Sequence, residues 1–358
     1  MVQREDARVR LGWPDVGPAE LDEVAGVLES GMLTMGPKVP EFEAELARAC
    51  EVEHALAVSS GTAALHLAVL ALGLNPGDEV IVPAYTFPAT ANVVALAGLR
   101  PVLVDVDSET MNIDPAQVEV GPRTKAVLAV HLFGRPAPVE ALPEELPMLE
   151  DAAGALGARH RGRACGGLGL LGCLSFHPRK IVTTGEGGAV TTNDAAVADA
   201  VAAGRNHGWR SLVPPDLPAP GLNYRLSDIL CAVGLPQIRR LDELLAARTR
   251  VADGYTERLR GLPVLLPSAA EGDVHGWQAY VIQLDDRDRV LRELRARAIE
   301  AQIGTYALHL LGAYRDQGAF PAASRVFERA LALPFHTRLT EGDLDRVVEA
   351  LDKLVSSH

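Results

Sequence analysis

Short apolar runs alternate with longer helix-like segments over residues 40–205. Each run has four to seven residues and is rich in Val, Leu, Ile and Ala. Because this alternation is typical of βαβ units, it predicts an α/β fold with a mostly parallel, doubly wound sheet. The predicted strands are residues 55–59, 79–83, 101–105, 126–132, 148–151, 174–177 and 189–192. Helices are predicted at residues 62–72 and 88–96.

A proline-rich segment at residues 212–221 interrupts this pattern. Residues 227–259 then show long helical periodicity, with a kink predicted at Gly234-Leu235-Pro236. A predicted strand at 277–284 and helices at 287–299 and 342–355 have an α+β character. The pattern therefore predicts a large domain at residues 12–240 and a smaller C-terminal domain at residues 241–358.

Composition narrows the choice of partners. The 47 acidic residues outnumber the 34 Lys and Arg, which gives a net charge of -13. This charge disfavours a nucleic-acid partner. A local basic pocket for an anionic ligand, lined by Arg159, His160, Arg161 and Arg163, is an alternative to a solvated loop there, and the loop is favoured. The N-terminus is charged, and no apolar run approaches the roughly 20 residues of a membrane span. The four cysteines lack metal-site spacing. We expect a cytoplasmic protein that binds neither a membrane nor a metal.

One lysine stands out. The chain has only four lysines, and Lys180 lies between a predicted strand and the glycine-rich turn Thr184-Gly185-Glu186-Gly187-Gly188. An amine can form a Schiff base with an aldehyde, whereas a guanidinium cannot. The alternative is an ordinary loop lysine.

Two other strand ends carry groups that suit a phosphorylated ligand. In Ser60-Gly61-Thr62 a strand meets a helix, so free N–H groups and the helix dipole would attract a phosphate; a plain N-cap would look similar. Asp151 ends another apolar strand, where a carboxylate would pair with a cationic ring nitrogen or cap a helix. Phe87 would stack on a cofactor ring or pack in the core.

Residues 167–172 match G-x-G-x-x-G, the pattern of dinucleotide-binding turns. This match precedes a predicted strand and no helix, so the helix N-terminus that binds a pyrophosphate is missing. We therefore do not expect NAD binding. The lysine, the acid, the aromatic ring and the phosphate turn are together the groups that pyridoxal 5′-phosphate (PLP) requires.

The ordered set of motifs resembles the DegT/StrS family of sugar aminotransferases, which are PLP enzymes of fold type I with the aspartate-aminotransferase architecture. The resemblance covers nearly the whole chain. Its motifs lie at residues 30–37, 60–65, 76–80, 86–92, 131–134, 150–153, 175–188, 221–228 and 333–336.

The resemblance implies a role for each candidate residue. Lys180 would hold the cofactor as a Schiff base, Asp151 would pair with its pyridine nitrogen, and Phe87 would stack on its ring. The phosphate would be bound by Gly61, Thr62 and Ser175. Asn223 matches a family position that reaches the phosphate of the neighbouring subunit, which implies a homodimer with shared active sites.

The implied reaction has two halves. L-glutamate would convert the cofactor to pyridoxamine 5′-phosphate, and the amine would then pass to a nucleotide-linked keto sugar. Members of the family commonly act on 4-keto- or 3-keto-6-deoxyhexoses for surface polysaccharides or antibiotic glycosides, and the form of residues 177–188 favours the 4-keto class. The substrate side is less defined: His131, His177, Arg179 and His309 are candidates that are equally compatible with structural roles.

One position departs from the family pattern. Many relatives carry Gln, His or Glu three residues after the aspartate, whereas this chain has Gly154. The contact made by that side chain must be lost or supplied elsewhere. Two alternatives therefore stay open: a keto-cyclitol aminotransferase and a non-catalytic PLP-binding regulatory protein.

Overall fold

The computed structural model describes residues 8–356 in ten helices and sixteen strands. The helices are α1 Pro18–Ser30, α2 Lys38–Cys50, α3 Gly61–Ala71, α4 Ala89–Leu96, α5 Ala195–Gly204, α6 Asp228–Arg239, α7 Leu241–Arg258, α8 Arg287–Ala296, α9 Pro321–Arg329 and α10 Glu341–Val355. The strands are β1 His54–Val58, β2 Glu79–Pro83, β3 Tyr85–Thr86, β4 Arg100–Val104, β5 Thr124–Val130, β6 Met148–Asp151, β7 Arg159–His160, β8 Arg163–Ala164, β9 Leu171–Ser175, β10 Gly188–Thr192, β11 Ser211–Leu212, β12 Pro215–Asp216, β13 Val281–Gln283, β14 Gln302–Ile303, β15 Tyr306–Ala307 and β16 Ala330–Ala332.

Seven strands form the central sheet, in the order β1-β10-β9-β6-β5-β2-β4. Strand β10 is antiparallel to both of its neighbours, and every other pair is parallel. The prediction of a mostly parallel α/β sheet is confirmed. Both faces of the sheet are covered, by helices and, beside β5, by the segments around Ile113, Ala137 and Leu142. This explains why residues 126–130 of β5 are apolar and buried without alternation.

A second, smaller sheet has the order β13-β16-β14 and is antiparallel. It shares an apolar core with α7, α8 and α10, in which Tyr255, Tyr280 and Leu351 are fully buried. The intervening chain returns to the large sheet: β15 pairs with β3, and Ala307 and Val326 lie in the core around α3 and α4. The domain boundary at residue 240 stays a prediction.

Two local features differ from the sequence-based expectation. Helix α6 continues through Pro236, and the break lies at Arg240, where hydrogen bonds to Asp15 and Glu20 hold the turn. The predicted strand at 277–284 is reduced to β13. Before β13 the main chain binds other partners, since the N–H group of Gln278 donates to the carbonyl of Phe133 over 3.0 Å.

No helix within residues 8–356 combines sufficient length with sufficient apolar character to cross a bilayer.

Candidate active site

The carboxyl ends of five parallel strands meet at one edge of the large sheet. Strand β10 separates β1 from β9 and is antiparallel to both, so β1 points in the same direction as β9, β6, β5 and β2. A cavity of about 320 Å³ opens at this edge. This position matches the rule that open α/β sheets bind ligands beyond the carboxyl ends of their strands.

Six of the seven predicted cofactor residues line this cavity: Gly61, Thr62, Phe87, Asp151, Ser175 and Lys180. They are brought together from positions up to 119 residues apart in the sequence. The seventh, Asn223, is exposed and lies in a bridge with Asn206, outside the cavity lining.

The first turn of α3 forms one wall. Ser60 is its N-cap, and its hydroxyl accepts from the N–H group of Ala63 over 3.0 Å. Within the described chain, the N–H groups of Gly61 and Thr62 have no hydrogen-bond partner. A methyl group at position 61 would lie 2.8 Å from Cβ of Ser175, so only glycine lets the helix start this close to the end of β9. The turn is both a capped helix start and a cradle for an anion.

Asp151 lies at the end of β6 and is buried. Its Oδ2 accepts from the Thr90 hydroxyl over 2.8 Å, and its Oδ1 accepts from the N–H group of Ala153 over 3.2 Å. No helix follows within the next residues, which excludes the helix-cap alternative. Burial raises the pKa of this carboxyl, while the two hydrogen bonds and the charge of Lys180 oppose the rise.

Sequence reasoning missed the two threonines behind Asp151. Thr86 and Thr90 are buried, and their hydroxyl oxygens lie 3.1 Å apart. Thr86 ends β3 and Thr90 lies in the first turn of α4, so no periodicity of a single element signalled the pair. They continue the hydrogen-bonded chain from Asp151 toward the end of β3.

Lys180 is half-buried in the turn after β9, where its N–H group donates to the carbonyl of His177 over 2.8 Å. Burial lowers the pKa of its amine to about 8; the charges of Arg179 and Arg248 act in the same direction, and Asp151 opposes them. A lysine with this pKa has a substantial neutral fraction near physiological pH, which a nucleophilic amine needs. This environment differs from that of an ordinary solvated loop lysine.

The mouth of the cavity is aromatic and polar. Phe87 is 58% exposed, so it is not a core residue, and its ring lies 6.4 Å from that of Tyr306. Arg179 and His177 also line the cavity, and Arg179 donates to Oε1 of Gln302 over 2.6 Å.

The other two substrate-side candidates, His131 and His309, have ring nitrogens within hydrogen-bond distance of other protein groups. His131 is buried beside the cavity, but Nδ1 accepts from the N–H group of Ala137 over 2.9 Å and Nε2 donates to Glu150 over 2.9 Å. His309 lies outside the cavity lining, and its Nε2 is 2.8 Å from the hydroxyl of Ser324.

Gln278 occupies the space beside Gly154. A methyl group at position 154 would lie 3.4 Å from Cβ and Cγ of Gln278 and 3.5 Å from its Oε1. The Gln278 side chain lines the cavity, and its Nε2 lies 3.5 Å from the carbonyl oxygen of Arg179. The polar side chain missing at 154 is thus replaced in space by one from another part of the chain, which no local sequence signal could have revealed.

The glycine-rich segment at residues 166–172 binds a carboxylate of the protein itself. The fully buried Glu150 accepts from the N–H groups of Gly166, Leu168 and Gly169 over 2.7, 2.7 and 2.8 Å. Gly172 already lies inside β9. The N–H groups that a dinucleotide would need are therefore used to fix the strand next to Asp151.

The basic segment at residues 159–163 forms ion pairs and backbone contacts. Arg159 binds Glu51 over 2.5 Å, Arg161 binds Glu140 over 2.7 Å, and Arg163 donates to the carbonyl of Gly167 over 3.3 Å. These contacts favour the loop interpretation over an anion pocket.

The cavity residues fit PLP. Two unpaired N–H groups with a hydroxyl suit its phosphate, the buried carboxylate suits a protonated ring nitrogen, and the amine suits its aldehyde. Each of these groups faces the same space.

Comparison with known proteins agrees with this chemistry. A model of the DegT/DnrJ/EryC1/StrS aminotransferase family matches residues 14–352. The chain is 39% identical over 365 residues to GDP-perosamine synthase from Caulobacter vibrioides, covering 97% of this chain and 98% of the relative.

Solved structures give the same result. The aminotransferase TlmJ from Streptoalloteichus hindustanus has a TM-score of 0.93 at 33% identity, covering 98% of this chain and 99% of its own. DesI, solved in the presence of its TDP-sugar product, has a TM-score of 0.92 at 35% identity, covering 98% and 94%. The predicted fold type I architecture is confirmed. This chain belongs to the DegT/DnrJ/EryC1/StrS family and is a PLP-dependent aminotransferase.

Proposed function

We propose that this enzyme transfers the amino group of L-glutamate to the keto group of a nucleotide-linked 6-deoxyhexose, with a 4-keto sugar favoured over a 3-keto sugar. The observation that carries the proposal is the convergence of Lys180, Asp151 and the first turn of α3 on one cavity. The names of two relatives, a GDP-perosamine synthase and a DesI with a TDP-sugar product, support a sugar nucleotide as acceptor.

Lys180 is the group that would carry the proton. When bound, PLP supplies an electron sink that stabilises negative charge at the Cα atom of the amino acid. Once its amine is displaced by the donor, Lys180 can take the proton from Cα as a general base. The pKa of about 8 supports this role, because it raises the neutral fraction of the amine at physiological pH relative to an ordinary lysine.

Asp151 would keep the ring nitrogen protonated. Its carboxylate is held from one side by the Thr90 hydroxyl and from the other by the Ala153 N–H group. The buried position strengthens its attraction for a cation. Gly61, Thr62 and Ser175 would bind the phosphate, and Phe87 would cover the ring at the cavity mouth.

We also propose that two chains share their active sites. Asn223 is exposed and lies outside the lining of its own cavity, which supports a role toward a second copy. The segment paired with this region supports an interface: Thr34 bridges Ser227, and its neighbours Leu33 and Met35 are 45% and 62% exposed. Together with Met32, which is 51% exposed, they form a run of exposed apolar side chains, and contiguous apolar patches mark protein–protein interfaces. A cytoplasmic location remains a prediction.

The acceptor assay tests the proposal. The enzyme with PLP and L-glutamate is incubated with GDP- and TDP-linked 4-keto-6-deoxyhexoses, the matching 3-keto sugars and a keto-cyclitol, and 2-oxoglutarate release is measured. Multiple turnovers with a 4-keto nucleotide sugar are expected. If the keto-cyclitol is turned over and none of the sugar nucleotides is, the acceptor is a keto-cyclitol and the proposed acceptor is wrong. PLP binding without any reaction with glutamate would favour a regulatory protein.

A further inference from the structure

Arg248 is a buried cation whose hydrogen bonds within the described part of the chain all go to main-chain carbonyls. It lies on α7 and is 5% exposed. One terminal nitrogen donates to the carbonyls of Trp277 and Gln278 over 2.9 and 3.2 Å, and the other donates to the carbonyl of Lys180 over 3.3 Å. Its guanidinium lies 5.7 Å from the ring centroid of Phe335. No carboxylate within residues 8–356 forms an ion pair with it.

These contacts join two parts of the cavity wall. The Lys180 carbonyl belongs to the turn after β9, whereas residues 277–278 precede β13 and place the Gln278 side chain in the cavity. The planar guanidinium can reach both segments at once because its donors diverge in a fixed fork. A lysine at position 248 would keep the charge and lose this geometry.

Packing alone does not explain a cation here. Removing a guanidinium from water without a carboxylate partner is unfavourable, and burial lowers the pKa of Arg248 to about 10. The charged or titratable groups that act on Arg248 or interact with it are Asp15, Lys180 and His336, and Asp151 and Arg179 also act on Lys180. An apolar side chain would fill the same volume without the desolvation cost, but it would leave the carbonyls of the two segments without this donor.

We propose that Arg248 is a positioning residue for Lys180. It holds the main chain of the lysine turn against residues 277–278, so that the amine points into the cavity. Arg248 itself touches neither cofactor nor substrate. The proposal rests on the role of Lys180 in the proposed function.

Amine labelling of the protein without cofactor tests this directly. The chain has only four lysines, so reductive methylation at each pH can be quantified for every lysine by peptide mass spectrometry. For Arg248→Met we expect the labelling midpoint of Lys180 to rise by about one pH unit, because a nearby positive charge is removed. The midpoints of Lys38 and Lys125 should not change.

A second variant separates charge from geometry. Arg248→Lys retains a positive charge but loses the diverging N–H donors of the guanidinium. Because the charge is retained, the labelling midpoint of Lys180 should stay close to that of wild type. The affinity of this variant for PLP should still fall by about tenfold, since the hydrogen bond to the Lys180 carbonyl is lost. This variant also carries the test if Arg248→Met does not fold.

Arg287 provides the matched control. It is 4% exposed, donates to the carbonyl of Ala330 over 2.7 Å and lies 5.7 Å from the Phe327 ring. Unlike Arg248, it also pairs with a carboxylate, that of Asp288, over 2.7 Å, and it makes no hydrogen bond to the lysine turn within the described residues. Arg287→Met should leave the Lys180 midpoint unchanged. An equal rise in both methionine variants would indicate general loosening and overturn the proposal, as would folded Arg248 variants with wild-type labelling and PLP affinity.

The wild-type protein separates this inference from the proposed function. If wild type forms no Lys180-dependent absorption band with PLP, the proposed function fails. If the band forms and the Arg248 variants behave as wild type, only the positioning role fails.

Discussion

The Thr90 hydroxyl donates a 2.8 Å hydrogen bond to Oδ2 of Asp151, and both side chains are buried. This contact links the first turn of α4 to the end of β6. A hydrogen bond to a carboxylate favours its charged form, so Thr90 opposes the burial that raises the pKa of Asp151. The bond therefore favours the carboxylate charge that the proposed pairing with the ring nitrogen of PLP requires.

Thr90→Val should weaken PLP binding by about tenfold, because a hydrogen bond to a charged group is lost at nearly constant side-chain volume. Thr90→Ser is the matched control, since it retains the hydroxyl and should bind close to wild type. Equilibrium titration of each protein with PLP measures the effect. Equal affinity of the valine and wild-type proteins would show that the contact does not support the cofactor site.

Lys180 should reduce the stability of the protein without cofactor. Its folded-state pKa of about 8 lies below the ordinary value of 10.5, so the unfolded state binds more protons between these values. The free energy of unfolding of wild type should therefore rise with pH through this window. At pH 7 the buried amine is mostly protonated, so nearly the full cost of burying its charge is subtracted from the free energy of unfolding.

Lys180→Met should accordingly be more stable than wild type at pH 7, and its advantage should shrink from pH 8 to 10.5. Urea unfolding at several pH values measures this. Lys125→Met, at an exposed position, is the control and should show no such pH dependence. An advantage that stays constant with pH would contradict the assigned environment of the amine.

Gly154 and Gln278 should be coupled energetically. Gly154→Gln alone should impair turnover, because its side chain would compete with Gln278 for the same space. Adding Gln278→Ala vacates that space, so the double variant should recover part of the activity. Steady-state kinetics of the four proteins form the cycle. Strictly additive losses would mean that the two positions act independently.

Asn223 should act across the subunit interface. Lys180→Ala and Asn223→Ala chains are each expected to be impaired as homodimers. After subunit exchange, a mixed dimer has one site with both native residues, so an equal mixture should regain about a quarter of the wild-type number of sites. Sedimentation measures dimer formation and glutamate turnover measures recovery. A mixture no more active than its components would exclude a shared site.

The central sheet and the cofactor side of the cavity were predictable because both follow from local patterns. Apolar runs marked the strands, and Lys180, Asp151 and Gly61 each stand beside a strand end, where the topology of a parallel sheet collects them. The resemblance to a family added Asn223. These residues needed no knowledge of how distant segments pack.

The contacts supporting these residues were not predictable. Gln278 lines the cavity and Arg248 binds the main chain behind it, both from segments far along the chain, and their contacts with Gly154 and Lys180 depend on tertiary packing. The role of the glycine-rich segment at residues 166–172 could not be predicted for the same reason. The sequence excluded a dinucleotide site there, but the buried Glu150 that binds its N–H groups becomes visible only in the folded chain.

The most direct test is the visible absorption spectrum of the protein with PLP, before and after L-glutamate, beside Lys180→Ala. The account predicts a yellow absorption band in wild type that is absent from the variant and disappears on addition of glutamate, with release of 2-oxoglutarate. No band in wild type, or the same band and glutamate response in Lys180→Ala, would contradict the assignment of Lys180 as the cofactor-binding lysine.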